Sequence, residues 1–125
     1  MISIVDDDES VRTALERLMK AHGFLVRTFE SAASLLISEH RDLIDLLIAD
    51  VQMPGMTGLE LHDRLLADGF SIPTVLITGH PDETVRSRAL RAGVLCYLTK
   101  PFDEAELLNC IRSAVGQREA NGRPA

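Results

Sequence analysis

Four aspartates follow two apolar segments, at positions where their carboxylates could act together. Asp6, Asp7 and Asp8 come directly after an apolar run that begins at Ile2, and Asp50 comes directly after a second run. Both runs have the length and composition of buried β-strands, so the acids would lie at strand ends. Neighbouring carboxylates need a counter-charge. A hard divalent cation is the natural one, which makes this a candidate phosphoryl-transfer site.

A hydroxyl and an ammonium group occupy corresponding positions later in the chain. Thr78 ends the apolar segment 74–78, and Lys100 follows the segment 95–99. With the acids they supply metal-binding oxygens, a carboxylate nucleophile, a hydrogen-bond donor and a cation, which are the groups that phosphoryl transfer to a carboxylate requires. Lys100 would pair with Asp50 at rest and with a phosphoryl oxygen afterwards. The predicted site offers no second acid or base to remove the phosphate, so we expect a lasting aspartyl phosphate.

The segments that carry these residues alternate between strand and helix patterns. Strands are predicted at residues 2–6, 24–29, 46–50, 74–78 and 95–99. A helix follows each strand; the third is predicted at 59–66 and the fourth at about 82–92, and Ser31 and Asp103 are the expected N-caps of the second and fifth. This alternation predicts an α/β fold with a doubly wound, five-stranded parallel sheet and a site at the carboxyl ends of its strands.

Length and composition indicate one domain that needs no disulfide. Of the 125 residues, 46% are hydrophobic, and the folded domain is predicted at 1–116, followed by a polar tail or linker start at 117–125. Cys96 and Cys110 fall in different predicted elements without metal or redox spacing, so two reduced, mostly buried thiols are expected. We therefore expect a cytoplasmic protein.

Charge and hydropathy argue against two classes of partner. The net charge of −6 repels nucleic acid, and the basic cluster of Arg86, Arg88 and Arg91 is typical of a solvated helix face. No apolar run is long enough to span a bilayer, and acids follow Val5 where a signal peptide would be apolar. We therefore expect no membrane partner.

Four segments together resemble the receiver domain of two-component response regulators. They are IVDDDESVR at 4–12, DVQMPGMTG at 50–58, LITGH at 76–80 and AGVLCYLTKPF at 92–102. Each segment alone is a weak signal, but all four occur in order, each at the end of a predicted strand. The similarity covers residues 2 to about 116, and the Gly79-His80 pair and the PGMTG turn are most similar to the FixJ-type branch.

The resemblance implies a flavodoxin-like (CheY-like) fold with five helices and strand order 2-1-3-4-5. Asp50 would be the phosphoacceptor and a sensor histidine kinase the phosphodonor. The implied cofactor is Mg²⁺, for which Mn²⁺ or another divalent cation could substitute. Asp7 would bind the metal directly, with Asp50 as a further ligand, Asp6 largely through water and Gln52 through its backbone carbonyl.

The resemblance also implies how a phosphorylated state would be transmitted. Thr78 and Lys100 would hold the phosphoryl group, the Lys100-Pro101 bond would be cis, and Tyr97 would be a rotating aromatic switch. The face formed by helix four, strand five and helix five would then control homodimerisation or an output domain. On this sequence the face includes Arg86, Leu90, Leu95 and Tyr97.

Transcriptional output is expected, with DNA bound only by an output domain for which this chain has no room. A stand-alone receiver that acts as a relay remains the alternative. No enzymatic activity is expected beyond self-phosphorylation and slow autodephosphorylation.

Some residues in these segments have a simpler explanation. Asp8 is expected to favour the N-terminus of helix one rather than to bind metal. His80 is expected to be an exposed loop histidine, although it could also control access to the site from two residues past Thr78.

Three other functions fit parts of the pattern. A haloacid-dehalogenase-like phosphatase would need a second aspartate two residues after the nucleophile, where this chain has Gln52. A flavin-binding module would not place acids after strand one, and aromatic residues at 4% leave few rings to hold a flavin. A degenerate receiver used only for docking would lack site residues that are present here.

Overall fold

The computed structural model describes the backbone of residues 1–120 and the side chains of residues 1–114. Parallel strands alternate with helices along the chain. The strands are β1 (Ile2–Val5), β2 (Val26–Phe29), β3 (Leu46–Asp50), β4 (Thr74–Thr78) and β5 (Cys96–Thr99). The helices are α1 (Glu9–Ala21), α2 (Ala32–Leu36), α3 (Gly58–Ala67), α4 (Glu83–Arg91) and α5 (Glu104–Ala120), with a short 3₁₀ turn at Arg41–Leu43.

The strands form one sheet in the order β2-β1-β3-β4-β5, and every pair is parallel. The register aligns Val5 with Ala49 and Thr78 with Thr99, so the carboxyl ends of the strands reach the same edge. The predicted fold class, strand order and number of helices are confirmed. The winding direction changes between β1 and β3, where open α/β sheets bind their ligands.

Helices cover both faces of the sheet and give it two apolar layers. On one face, α2, α3 and α4 pack through side chains such as Leu35, Leu61 and Ala89. On the other face, α1 and α5 pack through Met19 and Ile111, among others. Because β3 and β4 lie inside the sheet, all their residues are buried. Within residues 1–120, no helix is both long and apolar enough to cross a membrane.

The strands that lie inside the sheet match their predicted bounds best. Strands β3 and β4 agree to the residue, whereas the edge strands β2 and β5 begin later than predicted. Phe24, predicted to begin strand two, instead completes the end of α1, because its N–H donates to the Met19 carbonyl at 3.1 Å.

The last helix is longer than the sequence pattern suggests. Its backbone is helical to Ala120, past the expected domain end at residue 116. The residues after Gly116 are strong helix formers, so composition does not end the helix there. Residues 121–125 of the predicted tail lie outside the described residues.

The expectation of two reduced thiols is wrong, because Cys96 and Cys110 form a disulfide. Cys96 begins β5 and Cys110 lies on α5, and their Cα atoms are 6.5 Å apart. Sequence spacing could not reveal this pairing, since it depends on which side of α5 faces the strand. Strand β5 and helix α5 carry the bonded pair next to the core layer formed by α1 and α5.

Side-chain caps fix where the helices begin. The predicted role of Asp8 is confirmed, because its carboxylate accepts from Ser10 N–H at 2.8 Å at the start of α1. Helix α3 begins with a capping box: Glu60 N–H donates to the Thr57 hydroxyl at 3.1 Å, and Thr57 N–H donates to the Glu60 carboxylate at 2.9 Å. These caps orient α1 and α3 where they leave the edge that carries the aspartates.

The capping box predicts a pH-dependent contribution to stability. Two hydrogen bonds with Thr57 hold the pKa of Glu60 below its ordinary value of 4.5. The bond from Thr57 N–H has the larger effect, and the bond with the Thr57 hydroxyl has the smaller one. A lowered folded-state pKa stabilises the fold above the unfolded-state pKa and ceases to do so as pH falls through the lowered value. Glu60→Gln should therefore be less stable than the parent at neutral pH and equally stable once Glu60 is protonated.

Urea unfolding of both proteins from about pH 7 to about pH 3 measures this difference. Glu39→Gln is the matched control, because it removes the same charge from an exposed residue outside the helices. A parent-to-variant difference for Glu60→Gln that stays constant over the whole pH range would contradict the prediction.

Helix α3 begins against the end of β3 with no room for a side chain. Gly58 N–H donates to the Val51 carbonyl at 3.1 Å. A Cβ at Gly58 would lie well inside van der Waals contact of the Asp50 carbonyl oxygen and 3.0 Å from its carbonyl carbon. The small residue therefore lets the helix begin directly behind the aspartate that ends β3.

Replacing Gly58 by alanine should destabilise the protein by roughly 1–3 kcal/mol, because backbone atoms must move to admit the new methyl group. Denaturant unfolding measures this loss. Gly79→Ala is the control: its Cβ would meet only the Lys100 Cδ atom, at 4.0 Å, and the change should cost less than about 0.5 kcal/mol. Equal stability of Gly58→Ala and the parent would show that α3 can shift without cost.

Candidate functional site

Three carboxylates converge where β1 and β3 end. Asp6 follows β1, Asp50 ends β3, and each of these two and Asp7 offers a carboxylate oxygen within 4.8 Å of the others. Asp6 is 1% exposed and Asp50 is 7% exposed, whereas Asp7 is exposed to solvent. The predicted cluster is thus present, with two buried carboxylates and a third that is exposed at the surface.

Backbone N–H groups hold the two buried carboxylates in place. Asp8 N–H donates to Asp6 Oδ1 at 2.9 Å, and Gln52 N–H donates to Asp50 Oδ1 at 3.1 Å. In both cases the donor lies two residues after the acid, so the loop folds around the carboxylate. Each aspartate consequently keeps its second oxygen, Oδ2, for another partner.

That partner is Lys100, which lies between the two carboxylates. Its Nζ atom is 3.0 Å from Asp6 Oδ2 and 3.1 Å from Asp50 Oδ2. The lysine backbone is fixed as well, because its N–H donates to the Thr78 carbonyl at 2.7 Å and the peptide bond to Pro101 is cis. The pairing with Asp50 agrees with expectation. The pairing with Asp6, 94 residues away, was not predicted.

Burial and charge change the protonation of this cluster. Burial raises the pKa of Asp6, with a further increase from the Asp50 charge, and the hydrogen bonds from Asp8 N–H and Lys100 oppose that increase only in part. Burial alone would lower the pKa of Lys100, but its hydrogen bonds and charge interactions with Asp6 and Asp50 raise it overall. Lys100 therefore stays protonated near neutral pH, and it partly neutralises a site that retains more negative than positive charge.

Arg12 also contributes to the site, although the sequence pattern did not predict this. Its Nη1 atom donates to the Asp6 backbone carbonyl at 2.7 Å, so α1 holds the chain at the point where β1 ends. The interaction spans six residues across a strand-to-helix turn. The only sequence signal is that Arg12 lies in the same segment as the acids, and this spacing alone does not identify a partner.

Thr78 lies beside the cluster, at the end of the next strand. It is fully buried, and its hydroxyl oxygen accepts from His80 N–H at 3.0 Å. The hydroxyl proton can therefore be donated elsewhere. His80 is itself exposed, as expected for a loop histidine, and it is the backbone N–H that holds Thr78.

Tyr97 lies on β5 away from the carboxylates. It is half-buried, and its hydroxyl oxygen accepts from Asp82 N–H at 3.3 Å where α4 begins. Beside it is an open cavity of about 400 Å³, whose lining also includes Pro81, Glu83, Arg86 and Thr99. The only tyrosine of the chain thus lies between the α4 N-terminus and the surface.

The structure therefore brings together Asp6, Asp7, Asp50 and Lys100, with the Thr78 hydroxyl on the neighbouring strand. The cluster offers only oxygen donors to a metal, which suit a small hard cation such as Mg²⁺ better than metals that prefer sulfur or imidazole. Gln52 contacts the cluster through its N–H, which donates to Asp50, and the predicted role of its carbonyl as a metal ligand stays a prediction. Carboxylates, a cation and a hydroxyl at one strand edge can bind and stabilise a phosphoryl group.

A family model for the response regulator receiver domain matches residues 2–112 of this chain. The response regulator protein TodT of Pseudomonas putida is 41% identical over 115 residues, which are 92% of this chain and 51% of TodT. The transcriptional regulatory protein FixJ of Azorhizobium caulinodans is 34% identical over 98% of this chain and 58% of FixJ. The chain thus spans about half the length of these curated relatives.

Solved structures show the same similarity in three dimensions. The response regulator StyR has a TM-score of 0.85 and 38% identity, covering 97% of this chain and 63% of StyR. The crystal structure of FixJ-N has a TM-score of 0.80 and 33% identity, covering 90% of each chain. The resemblance inferred from the four sequence segments is confirmed, and the chain belongs to the response regulator receiver domain family.

Proposed function

We propose that this chain is a phosphorylation-activated signalling switch in which Asp50 accepts a phosphoryl group from a sensor histidine kinase. The observation that carries the proposal is the position of Lys100 Nζ, within 3.1 Å of both Asp50 and Asp6, in a carboxylate cluster whose third member, Asp7, is exposed to solvent. A purely structural ion pair would not need a third carboxylate. A phosphoryl-transfer site uses one to help bind a divalent cation, which offsets the repulsion between the acids and the anionic incoming group.

The side chains around Asp50 suit the transfer step. The N–P bond of a phosphohistidine breaks while an Asp50 oxygen forms a bond to phosphorus, and negative charge spreads over the phosphoryl oxygens. Lys100 can then exchange a carboxylate oxygen for a phosphoryl oxygen without moving far, since both types of oxygen accept the same hydrogen bond. The Thr78 hydroxyl proton can be donated to a second phosphoryl oxygen.

Receiver domains bind Mg²⁺ at an acidic cluster, and the oxygen donors of Asp6, Asp7 and Asp50 fit that role here. Asp7 would bind the ion directly, Asp6 largely through water, and Gln52 through its backbone carbonyl. The bound cation would offset the repulsion between the acids and the incoming phosphoryl group. Mn²⁺ or another hard divalent cation should substitute.

Transmission of the phosphorylated state would involve Tyr97. If Thr78 moves toward a phosphoryl group, the loop from Thr78 to Asp82 moves with it, and the hydrogen bond between Asp82 N–H and the tyrosine hydroxyl is lost. The cavity beside the ring gives the side chain room to change rotamer. The surface of α4, β5 and α5, with Arg86 and Leu90, would then present a different shape to a partner or to a second copy of this chain.

The output is proposed to be transcriptional. FixJ and the C4-dicarboxylate transport protein DctD of Rhizobium meliloti are both named as transcriptional regulatory proteins, and this chain covers 58% and 25% of their lengths. A DNA-binding output domain in the parent protein would then respond to the phosphorylation state of the receiver. Receivers are signalling rather than catalytic domains, so only self-phosphorylation and slow autodephosphorylation are expected. The cytoplasmic location expected from the sequence stays a prediction.

A small-molecule phosphodonor with Mg²⁺ should phosphorylate Asp50 without a kinase. The expected intact-mass gain is about 80 Da in the parent protein. Asp50→Asn should show no gain, because an amide is a poor nucleophile and loses the charge that Lys100 binds. Time-resolved mass spectrometry measures both proteins under identical conditions.

Asp42→Asn is the matched control for this loss of charge. Asp42 is exposed and precedes β3, so it lies at the opposite end of that strand from Asp50. We expect it to gain the same mass as the parent at the same rate. A phosphorylated Asp50→Asn protein, or a parent that gains no mass in the presence of Mg²⁺, would refute Asp50 as the acceptor.

Magnesium should stabilise the protein through Asp7. At ten times its Kd, Mg²⁺ would add about 1.4 kcal/mol to the free energy of unfolding, which raises the Tm by about 4–6 °C. Asp7→Asn should remove most of this shift. Without the metal, the same variant should be more stable than the parent, because three acids face one lysine and one of those acids has been neutralised.

Thermal unfolding at constant ionic strength measures the shift. Asp8→Asn is the control, because asparagine also caps a helix and the neighbouring acid is changed without touching the proposed ligand set. Asp8→Asn should keep the Mg²⁺-dependent rise in Tm. Loss of the rise in Asp8→Asn together with its retention in Asp7→Asn would reverse the assignment.

A further inference from the structure

The disulfide between Cys96 and Cys110 lies on the same strand as the proposed switch but has no part in the phosphoryl site. Cys96 is the first residue of β5, and Cys110 lies on α5. Both are partly exposed and pack at the margin of the core layer formed by α1 and α5. A small thiol or disulfide reagent can therefore reach the pair from solvent.

The chain between the two cysteines carries the residues on which the proposed function depends. The sulfur–sulfur bond joins positions 14 residues apart and so closes a ring of chain that contains Tyr97 and Lys100. Within this ring, Lys100 reaches Asp6 and Asp50, and Tyr97 reaches the start of α4. A covalent bond across the base of the ring restricts how far β5 and α5 can move apart.

We propose that Cys96 and Cys110 are a reversible redox site that braces the Lys100 segment when oxidised and releases it when reduced. The regulatory part of this inference rests on the proposed phosphorylation of Asp50. The site takes small-molecule disulfides as oxidants and thiols as reductants. Both cysteines are partly exposed, and exposed disulfides are among those that small thiols reduce and small disulfides re-form most readily.

The chemistry balances as thiol–disulfide exchange. One cysteine thiolate attacks a small-molecule disulfide, breaking its sulfur–sulfur bond and releasing one thiol from the reagent. The second cysteine then attacks the mixed disulfide, forms the Cys96–Cys110 bond and releases the second thiol. Two electrons pass from the protein sulfurs to the reagent, and the two thiol protons end on the released thiols. Excess small thiol reverses both steps.

Reduction of the disulfide should change how firmly Lys100 is positioned. The Lys100 backbone is held by the Thr78 carbonyl at 2.7 Å, and its Nζ atom is held by two carboxylates at 3.0 and 3.1 Å. Reduction removes the restraint at the Cys96 end of β5, so the strand can move relative to α5 and these contacts alone must position Lys100. The lysine is then less well positioned for a phosphoryl group, and small positional losses of this kind slow chemistry markedly.

The first measurement tests the redox site alone. The protein is equilibrated with oxidised glutathione or with excess dithiothreitol, then unfolded, alkylated and weighed. Oxidised protein should take no alkyl group, whereas reduced protein should be alkylated on both cysteines and therefore be heavier by the mass that two alkyl groups add. The Tm of oxidised protein should be higher by roughly 10 °C, because the closed ring limits the unfolded chain. Cys96→Ser/Cys110→Ser should have the same Tm in both reagents.

The second measurement tests the regulation. Phosphorylation of Asp50 by a small-molecule phosphodonor with Mg²⁺ should be at least roughly threefold slower in reduced than in oxidised protein. The double serine variant should match the reduced parent and ignore the reagent. This variant also controls for direct effects of the reagents on the phosphodonor.

Each outcome decides one part of the inference. Full alkylation after glutathione treatment, or equal Tm values in both states, overturns the redox site. Equal phosphorylation rates in two states of confirmed mass overturn the regulation of Asp50. Absence of phosphorylation in both states contradicts the proposed function and the regulation with it, whereas the mass and Tm comparison still decides whether the cysteines pair.

Discussion

The ammonium group of Lys100 lets two buried carboxylates coexist at the edge of the sheet. Asp6 and Asp50 end neighbouring strands, and parallel strands necessarily bring such ends together. Without a cation between them, one of the acids would have to take up a proton, because desolvation and mutual repulsion both oppose the charged form. Lys100 comes from the far edge of the sheet, so the ion pairs also fix β5 relative to β1 and β3.

The residue types in this cluster leave it with more negative than positive charge. One lysine faces three carboxylates, and only two of those accept its hydrogen bonds. The remaining negative charge attracts a hard cation, whereas a second lysine would have made a closed ion-pair network with no need for one. A site that is incomplete in the resting protein can respond to what binds it, and that property separates a switch from a structural ion pair.

The sequence predicts those parts of the molecule that depend on local pattern. Strands β3 and β4 are apolar runs bounded by proline, acid or glycine, and their bounds follow to the residue. The aspartates and Thr78 are found because strand ends in a parallel sheet share an edge. The bounds of the edge strands follow less closely from the sequence, because a half-exposed pattern is also compatible with a helix end. Phe24, which completes the end of α1, is an example.

Interactions between distant elements were not predictable in the same way. The pairing of Lys100 with Asp6 depends on how far a flexible side chain reaches past the end of β4, and the contact of Arg12 depends on the exact turn into α1. The bond between Cys96 and Cys110 depends on the rotation of α5 about its own axis. In each case the residue type was visible, but its partner is fixed only by packing.

Strand β5 is where these constraints meet, and this explains why it is suited to respond. The proposed phosphorylation of Asp50 would change the charge there from −1 to about −2, so Lys100 would bind the phosphoryl oxygens more strongly than either carboxylate. The force on Lys100 acts at the carboxyl end of β5, and the disulfide holds the opposite end of the strand to α5. A strand held at both ends transmits a pull at one end to the residues between them, and Tyr97 is one of those residues. If reduction of the disulfide releases the Cys96 end, β5 itself moves in response to the same pull. Less of the change then reaches the surface that a partner would bind.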